Sequence, residues 1–348
     1  MEGIMKIISI SDLESYLYRQ FRSAGLCEQN ARTMADVVMR TTLYDRGHHD
    51  IHFVPALLDL VLNKRAEANP EFCRLSAFGG MESWDGGNGL GPICCMKAMD
   101  RAIELAEQHG IGLCAMRNTN HFMAAGPYVE RAARKGYIGI ILAKGGVSMG
   151  YPGKRGQCMS ALPFGFAYPT KEEPVVLDAC MAYASMGKLH QMQQEGKSVP
   201  SYWGLGPEGK ETEDPEELLR GTRFPIGGHK GFGMAMLGEV LTSVLAEGCI
   251  LDETQTRDGI GNWSAHTAIV VKGDALLDIE RFQQRTSKLS KRVQELSGGI
   301  HIPGEGAAEH VRLHQASGEV RLEEELIAQL NAYAEETGIE GLHGTDPN

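Results

Sequence analysis

An apolar run, Ile111-Gly-Leu-Cys-Ala-Met116, lies between two segments of helical periodicity, and this alternation constrains the fold more than any other feature of the chain. The segment before it, Ile93–Gln108, sets Met96, Met99, Ile103 and Ala106 on one face, and Gly110 follows as a left-handed stop. A second helix is predicted at Tyr128–Lys135 and a second strand at Tyr137–Leu142. Short apolar runs bounded in this way read as buried strands, and their alternation with helices specifies an α/β core. The first strand runs out into Arg117-Asn118-Thr119-Asn120-His121-Phe122. Loops at strand ends are where α/β enzymes place their chemistry, and a histidine there can move protons near neutral pH. The same residues also suit a plain turn cap, and position alone does not choose between the two.

Helices dominate the first part of the chain. Ser11-Asp-Leu-Glu14 has the capping-box pattern, Leu13, Leu17 and Phe21 follow at four-residue spacing, and Gly25 ends the helix. A second helix is predicted from about Glu28 to Leu43 and a third near Pro55 to Asn63, with the histidine-dense turn Tyr44–His52 between them. Residues 71–91 read as short strands and glycine-rich turns, and Val175-Val-Leu-Asp178 as an apolar run ending in a carboxylate. Residues 205–222 are turn-rich, a lobe boundary. Beyond Gly233, Leu237, Val240, Leu241, Val244 and Leu245 share a helix face; His266–Val271 reads as a strand, and Asp278–Leu296 and Leu322–Glu336 as charged helices.

Composition limits the function. With 348 residues, 42% of them hydrophobic, the chain can bury a large core in two or three lobes. A net charge of -11 disfavours nucleic acid and anionic membrane as partners, which leaves a small-molecule substrate. The eight cysteines form no Cys-x-x-Cys pair and are expected to be buried free thiols in a reducing cytoplasm. The first residues lack the apolar core of a signal peptide, and no run approaches the roughly 20 apolar residues of a membrane span, so a cytoplasmic protein is expected.

Several motifs can be set aside. Gly87-Asn-Gly89-Leu-Gly91 and Gly304-Glu305-Gly306 both lack the last glycine of the dinucleotide fingerprint, which disfavours a Rossmann site. Gly146-Val-Ser148-Met-Gly150 matches a nucleophile elbow, but Tyr151-Pro152-Gly153 breaks the chain where a helix must begin. His48, His49 and His52, and likewise His310 and His314, have chelating spacing without a His-Glu-x-x-His pattern; no metal is expected, and one of the first three is the better acid/base candidate. Gly227-Gly-His229-Lys230-Gly-Phe-Gly233 opens a helix and can offer an anion free N–H groups, a dipole end and an ammonium.

Met99-Asp-Arg-Ala-Ile-Glu-Leu-Ala-Glu-Gln-His-Gly-Ile-Gly-Leu113, Arg117–Phe122 and Lys135-Gly-Tyr-Ile-Gly-Ile140 together resemble the type-2 malate/L-lactate dehydrogenase, or sulfolactate dehydrogenase-like, family, and are nearest in pattern to its 2,3-diketo-L-gulonate reductase branch. The resemblance spans nearly the whole chain. It implies NAD(P)-dependent interconversion of 2-hydroxy and 2-oxo acids, a non-Rossmann mixed-sheet lobe that binds the cofactor, and a homodimer with its active site at a lobe and subunit interface. It further implies a helical lobe from residues 1–75 with 310–348 packed on it, and an NAD(P)-binding, catalytic α/β lobe from 76–309. The family's catalytic histidine falls on His49, anchored by Pro55 downstream, and its second active-site histidine on His121. Cofactor contacts fall on Pro174, Val175, Val176, Leu177, Asp178, Ala179 and Cys180, on His229 and Lys230, and on Gly304, Glu305 and Gly306.

The departures cluster at the site. His48 and Asp50 stand where the family has Ser and Gly, Phe53 where it has an arginine, and Ala161-Leu162-Pro163 where it has Thr-Asn-Pro; Lys144 and Gly145 replace uncharged polar residues. A substrate carboxylate then needs another cation, for which Lys144 leads, with Arg46, Lys154 and Arg155 behind it, and Asn120 as a further substrate contact. The expected activity is reduction of a small 2-oxo acid with NAD or NADP, NAD slightly ahead. An imine reductase of cyclic or N-substituted 2-imino acids and a non-catalytic cofactor-binding paralogue are the alternatives.

Overall fold

The computed structural model describes residues 4–45, 47–256 and 264–346. Strand β1 (Met5–Ser9) leads into helices α1 (Ile10–Ser23), α2 (Glu28–Leu43) and α3 (Val54–Leu62). The cap of α1 is Ser9, whose Oγ accepts the Asp12 N–H at 3.0 Å, so the helix begins ahead of the expected capping box at Ser11. Its apolar stripe, Leu13, Tyr16, Leu17 and Phe21, is fully buried, worth about 1.5–3 kcal/mol for each large apolar side chain.

The sheet region follows, with β2 (Cys73–Phe78), β3 (Met81–Gly89), α4 (Gly91–His109), β4 (Ile111–Thr119), α5 (Gly126–Arg134) and β5 (Tyr137–Ala143). After it come β6 (Val147–Met149), β7 (Met159–Ser160), β8 (Pro163–Tyr168) and β9 (Val175–Cys180). The turn-rich stretch carries α6 (Met186–Gln194), β10 (Gly204–Leu205), α7 (Pro215–Arg220) and β11 (Thr222–Arg223). The chain continues through α8 (His229–Glu239), β12 (Ser264–Lys272), α9 (Ile279–Ser297), α10 (Glu305–Ser317), β13 (Glu319–Glu323) and α11 (Glu324–Thr337).

Seven strands form the main sheet in the order β2-β3-β4-β12-β5-β8-β9. Only β3 and β4 pair in parallel, joined by α4 as a crossover; every other pairing in this sheet is antiparallel. The α/β expectation therefore holds as a mixed sheet and not as a doubly wound parallel one. Gly110 ends α4 at φ 81°, as its position predicted. At Gly112 a Cβ would run into the Ala102 carbonyl, so this glycine lets α4 lie flat on β4.

The ends of the chain meet in a separate ladder, β1 against β13, with Ile8 opposite Val320. The helix expected from Leu322 begins instead at Glu324, because Val320 and Leu322 alternate inward as part of a strand. One apolar core runs from α1 and α2 through α4 into the sheet. The face of α8 and its π-helical continuation at Val240–Val244 is different: Leu237, Val240, Val244 and Leu245 are exposed. All eight thiols are free, but Cys27, Cys73 and Cys158 are exposed, against the expectation of buried thiols. No helix among the described residues is long and apolar enough to cross a membrane.

Candidate active site

Strand register gathers the site. Thr119 at the end of β4 stands opposite Ser264 at the start of β12, His266 opposite Ala143 at the end of β5, and Pro163 at the start of β8 opposite Cys180 at the end of β9. His121, Lys144, Pro163, Cys180 and Ser264 thus lie along one end of the sheet, and all of them line a cavity of about 700 Å³. The helical layer adds to it from the turn after α2, which contributes His48 and His49.

The two histidines expected to act are together. The rings of His49 and His121 lie 4.9 Å apart, centroid to centroid, and Phe53 covers His121 at 4.7 Å. His49 has φ 57°, a left-handed conformation uncommon outside glycine that histidine adopts more readily than most residues. Burial is the main reason His49 is pushed down to about 4, helped by His48 and opposed by the Asp50 carboxylate and the Met123 backbone. Burial also lowers His121 to about 3, helped by His49 and His266. Both rings are neutral at pH 7. The Met123 N–H donates to His121 Nδ1 at 3.1 Å, which places the single proton of the neutral ring on Nε2. His121 is therefore a hydrogen-bond donor, and neutral His49 keeps one unprotonated ring nitrogen.

His266 supports this loop from behind. It is 0% exposed, its Nε2 donates to the Asn120 carbonyl at 3.1 Å, and its ring stacks on Phe122 at 5.5 Å. Its sequence context marks only the start of a strand. The Asn120 side chain is also structural: Nδ2 donates to the Asn88 and Gly89 carbonyls at 3.1 and 2.9 Å, so it holds β3 to β4 and does not line the cavity. Its polarity satisfies buried backbone where substrate contact was expected.

Lys144 is 2% exposed, which removes the reading of a solvated strand-end lysine. Nζ donates to the Leu251 carbonyl at 3.2 Å, and burial lowers its pKa against the pull of Glu239. Arg46 lies outside the described residues. Lys154 and Arg155 are exposed and do not line the cavity. Ser148 lines it from a strand with no helix behind it, so the elbow match was a coincidence of sequence.

The expected cofactor residues separate into groups. Asp178, Ala179 and Cys180 line the cavity. Pro174, Val176 and Gly304 line a separate crevice of about 20 Å³, room for a single water, which Asp178 also borders. Val175 and Leu177 line neither. The Glu305 carboxylate turns back on its own loop, accepting from Ile302 N at 2.9 Å and from Gln294 Nε2 at 2.8 Å, and Gly306 follows it in α10. His229 and Lys230 are exposed on the first turn of α8, while Ile226 just before them lines the cavity. Arg223 is also a wall residue; a lone arginine in the segment Gly-Thr-Arg-Phe-Pro carries no signal of that position in sequence.

A mixed sheet whose end gathers paired neutral histidines and a buried lysine in one cavity has the form of an α/β enzyme site. Comparison by sequence supplies the family: residues 8–331 match the malate/L-lactate dehydrogenase family, and the chain belongs to it. The protein is an oxidoreductase of the class acting on CH–OH groups. It is similar to the malate dehydrogenase of Pyrococcus horikoshii, 26% identical over 95% of each chain. It is also similar to the 2,3-diketo-L-gulonate reductase of Escherichia fergusonii, 31% identical over 78% of this chain and 82% of that one. The fold matches malate dehydrogenase from Entamoeba histolytica with a TM-score of 0.90, at 23% identity, over 97% of this chain and 99% of that one.

Proposed function

We propose that this protein interconverts a small 2-oxo acid and its 2-hydroxy acid with NAD or NADP. The observation that carries the reading is the placement of His49 and His121 against each other in a cavity that also holds buried Lys144. The wall fits a nicotinamide. Ala143, Gly145, Gly146, Ala161 and Ala179 make it smooth and largely apolar, and a Cβ on Gly146 would meet nothing within 4 Å. A volume of about 700 Å³ exceeds the need of a small acid alone. Asp178, Ala179, Cys180 and the glycine pair would hold the ring, and Lys188 and Lys230 the phosphates.

When bound, the reduced nicotinamide supplies the hydride for the carbonyl carbon. The chain supplies the rest. Lys144 orients the substrate carboxylate. His121 Nε2–H donates to the carbonyl oxygen and stabilises the charge that develops there, the role a neutral imidazole suits. His49 binds a proton as the anionic substrate enters and transfers it to that oxygen, completing the hydroxyl. In the reverse direction its bare nitrogen accepts the hydroxyl proton. Burial by Phe53 and the small wall residues keeps water from the centre.

The exposed apolar stripe Leu237, Val240, Val244 and Leu245 supports a homodimer, because monomers rarely leave such patches uncovered. Sedimentation at a mass of one chain would oppose it. The function itself is tested by oxidation of NADH and of NADPH against a panel of 2-oxo acids and cyclic 2-imino acids. Turnover with oxo acids is expected. Turnover with imino acids alone would replace the reaction, and cofactor binding without any turnover would make the protein a sensor.

A further inference from the structure

We propose that Arg223 is a second anion anchor in this cavity, and that the natural substrate is a 2-oxo acid carrying a further anionic group, a dicarboxylate in the simplest case. The substrate part rests on the reading of the cavity as a 2-oxo acid site; the anchor itself rests on the wall alone.

Arg223 is 3% exposed, and its strand is short, pairing with Gly204 on one side and Met149 on the other. Nε donates to the Ser148 carbonyl at 3.1 Å and Nη1 to the Ala184 carbonyl at 3.0 Å. Those two bonds fix the plane of the guanidinium and leave Nη2 with no protein acceptor among the described residues. No carboxylate there lies within ion-pair distance of it. The neighbouring charge-bearing group is Cys180, whose thiol burial keeps protonated. An arginine stays charged in any protein setting, so this wall holds a desolvated cation for which no described residue provides a counter-ion.

The remaining wall makes the same demand. Its described side chains include three cations, Lys144, Lys188 and Arg223, and one carboxylate, Asp178, in a protein of net charge -11. The Asp178 carboxylate is engaged by the Gly126 N–H at 3.0 Å. A cavity lined by more cations than carboxylates within an acidic protein draws anions. Lys144 and Arg223 belong to different layers, Lys144 at the end of β5 and Arg223 in the four-stranded sheet. Arg223 reaches the histidine side through the loop it holds: its partner Ala184 precedes Ser185, whose Oγ lies 3.5 Å from His48 Nε2. A single carboxylate on Lys144 leaves Arg223 unpaired; a second anionic group satisfies both.

Succinate and butyrate, matched in length and differing by one carboxylate, are the probes. Calorimetric titration of the wild-type protein should show succinate at least roughly tenfold tighter, as expected for a second charged pair away from water. Equal affinities would overturn the proposal without any variant or turnover. Arg223→Gln should abolish that preference while leaving butyrate and NADH affinities unchanged; an intact preference would overturn the proposal. Loss of NADH affinity with the preference intact would overturn it too, by making Arg223 a phosphate ligand. If Arg223→Gln does not fold, Arg223→Lys keeps the charge without the planar fork, and the succinate preference should shrink but survive. A folded protein that binds succinate through Arg223 yet oxidises no reduced cofactor with any 2-oxo acid would remove the proposed reaction and leave the anchor standing.

Discussion

Three positions separate His49 from His52, and their surroundings drive them in opposite directions. His49 enters the cavity, where burial lowers it to about 4. His52 faces the ladder that joins the chain ends, where Asp50 at 2.7 Å and Glu323 at 3.1 Å raise it to about 10. One is neutral and free to exchange a proton with a ligand; the other is a cation that ties the turn to β13. The histidine-dense turn is thus a hinge between scaffold and chemistry, and the charge of each ring follows from what packs on it.

Substitution should separate the two roles widely. His49→Ala should lower turnover by roughly 10²–10⁴ with reduced-cofactor affinity preserved, and His121→Ala similarly or less, in single-turnover and equilibrium binding experiments. Full activity in both variants would end the assignment. Next in size, Lys144→Met should raise the Michaelis constant of an acid substrate roughly 30-fold or more, the loss expected when one member of a buried charge pair goes. Its effect on cofactor affinity should be small; the reverse pattern would move Lys144 to the cofactor.

Lys230→Ala should weaken NAD(P)H binding only a few-fold, roughly, and added salt should shrink the difference, because an exposed charge is screened. Unchanged affinity at low salt would take the phosphates elsewhere. The smallest effect belongs to the scaffold side. The raised pKa of His52 contributes stability that is present below its unfolded value of about 6.5 and is lost as pH rises toward 10. His52→Ala should therefore reduce unfolding free energy more at pH 6 than near pH 10, by less than about 1 kcal/mol since the ring is partly exposed, as read from denaturant melts at the two pH values. The cavity histidines act with the opposite sign: an unfolded chain protonates them first, so wild-type stability should fall between about pH 6.5 and 4.

The legible parts of the molecule were those fixed by local pattern. The stripe of α4, the stop at Gly110 and the strands at 111 and 137 follow from short-range periodicity. So did His121, because the strand pattern itself put it at a loop. What escaped depends on partners distant in sequence. β1 pairs with β13 across the whole chain, and β12 inserts between β4 and β5 from far downstream. Arg223 gains its importance from two carbonyls at Ser148 and Ala184 that no window around it contains. Asn120 shows the converse: a polar residue beside the key histidine reads as functional until its hydrogen bonds are followed. The stripe 237–245 has core periodicity, yet its place at the surface comes from where α8 sits and not from its pattern.

The central claim is that a buried histidine of low pKa carries the proton. It is tested most directly by kcat/KM for 2-oxo acid reduction and 2-hydroxy acid oxidation across pH, since this ratio reports groups of the free enzyme. With His49 at about 4, reduction should fall tenfold per unit through the neutral range while oxidation stays level, and His49→Ala should flatten the reduction limb. A reduction rate level through neutrality in the wild type, or a slope that survives His49→Ala, would contradict the account.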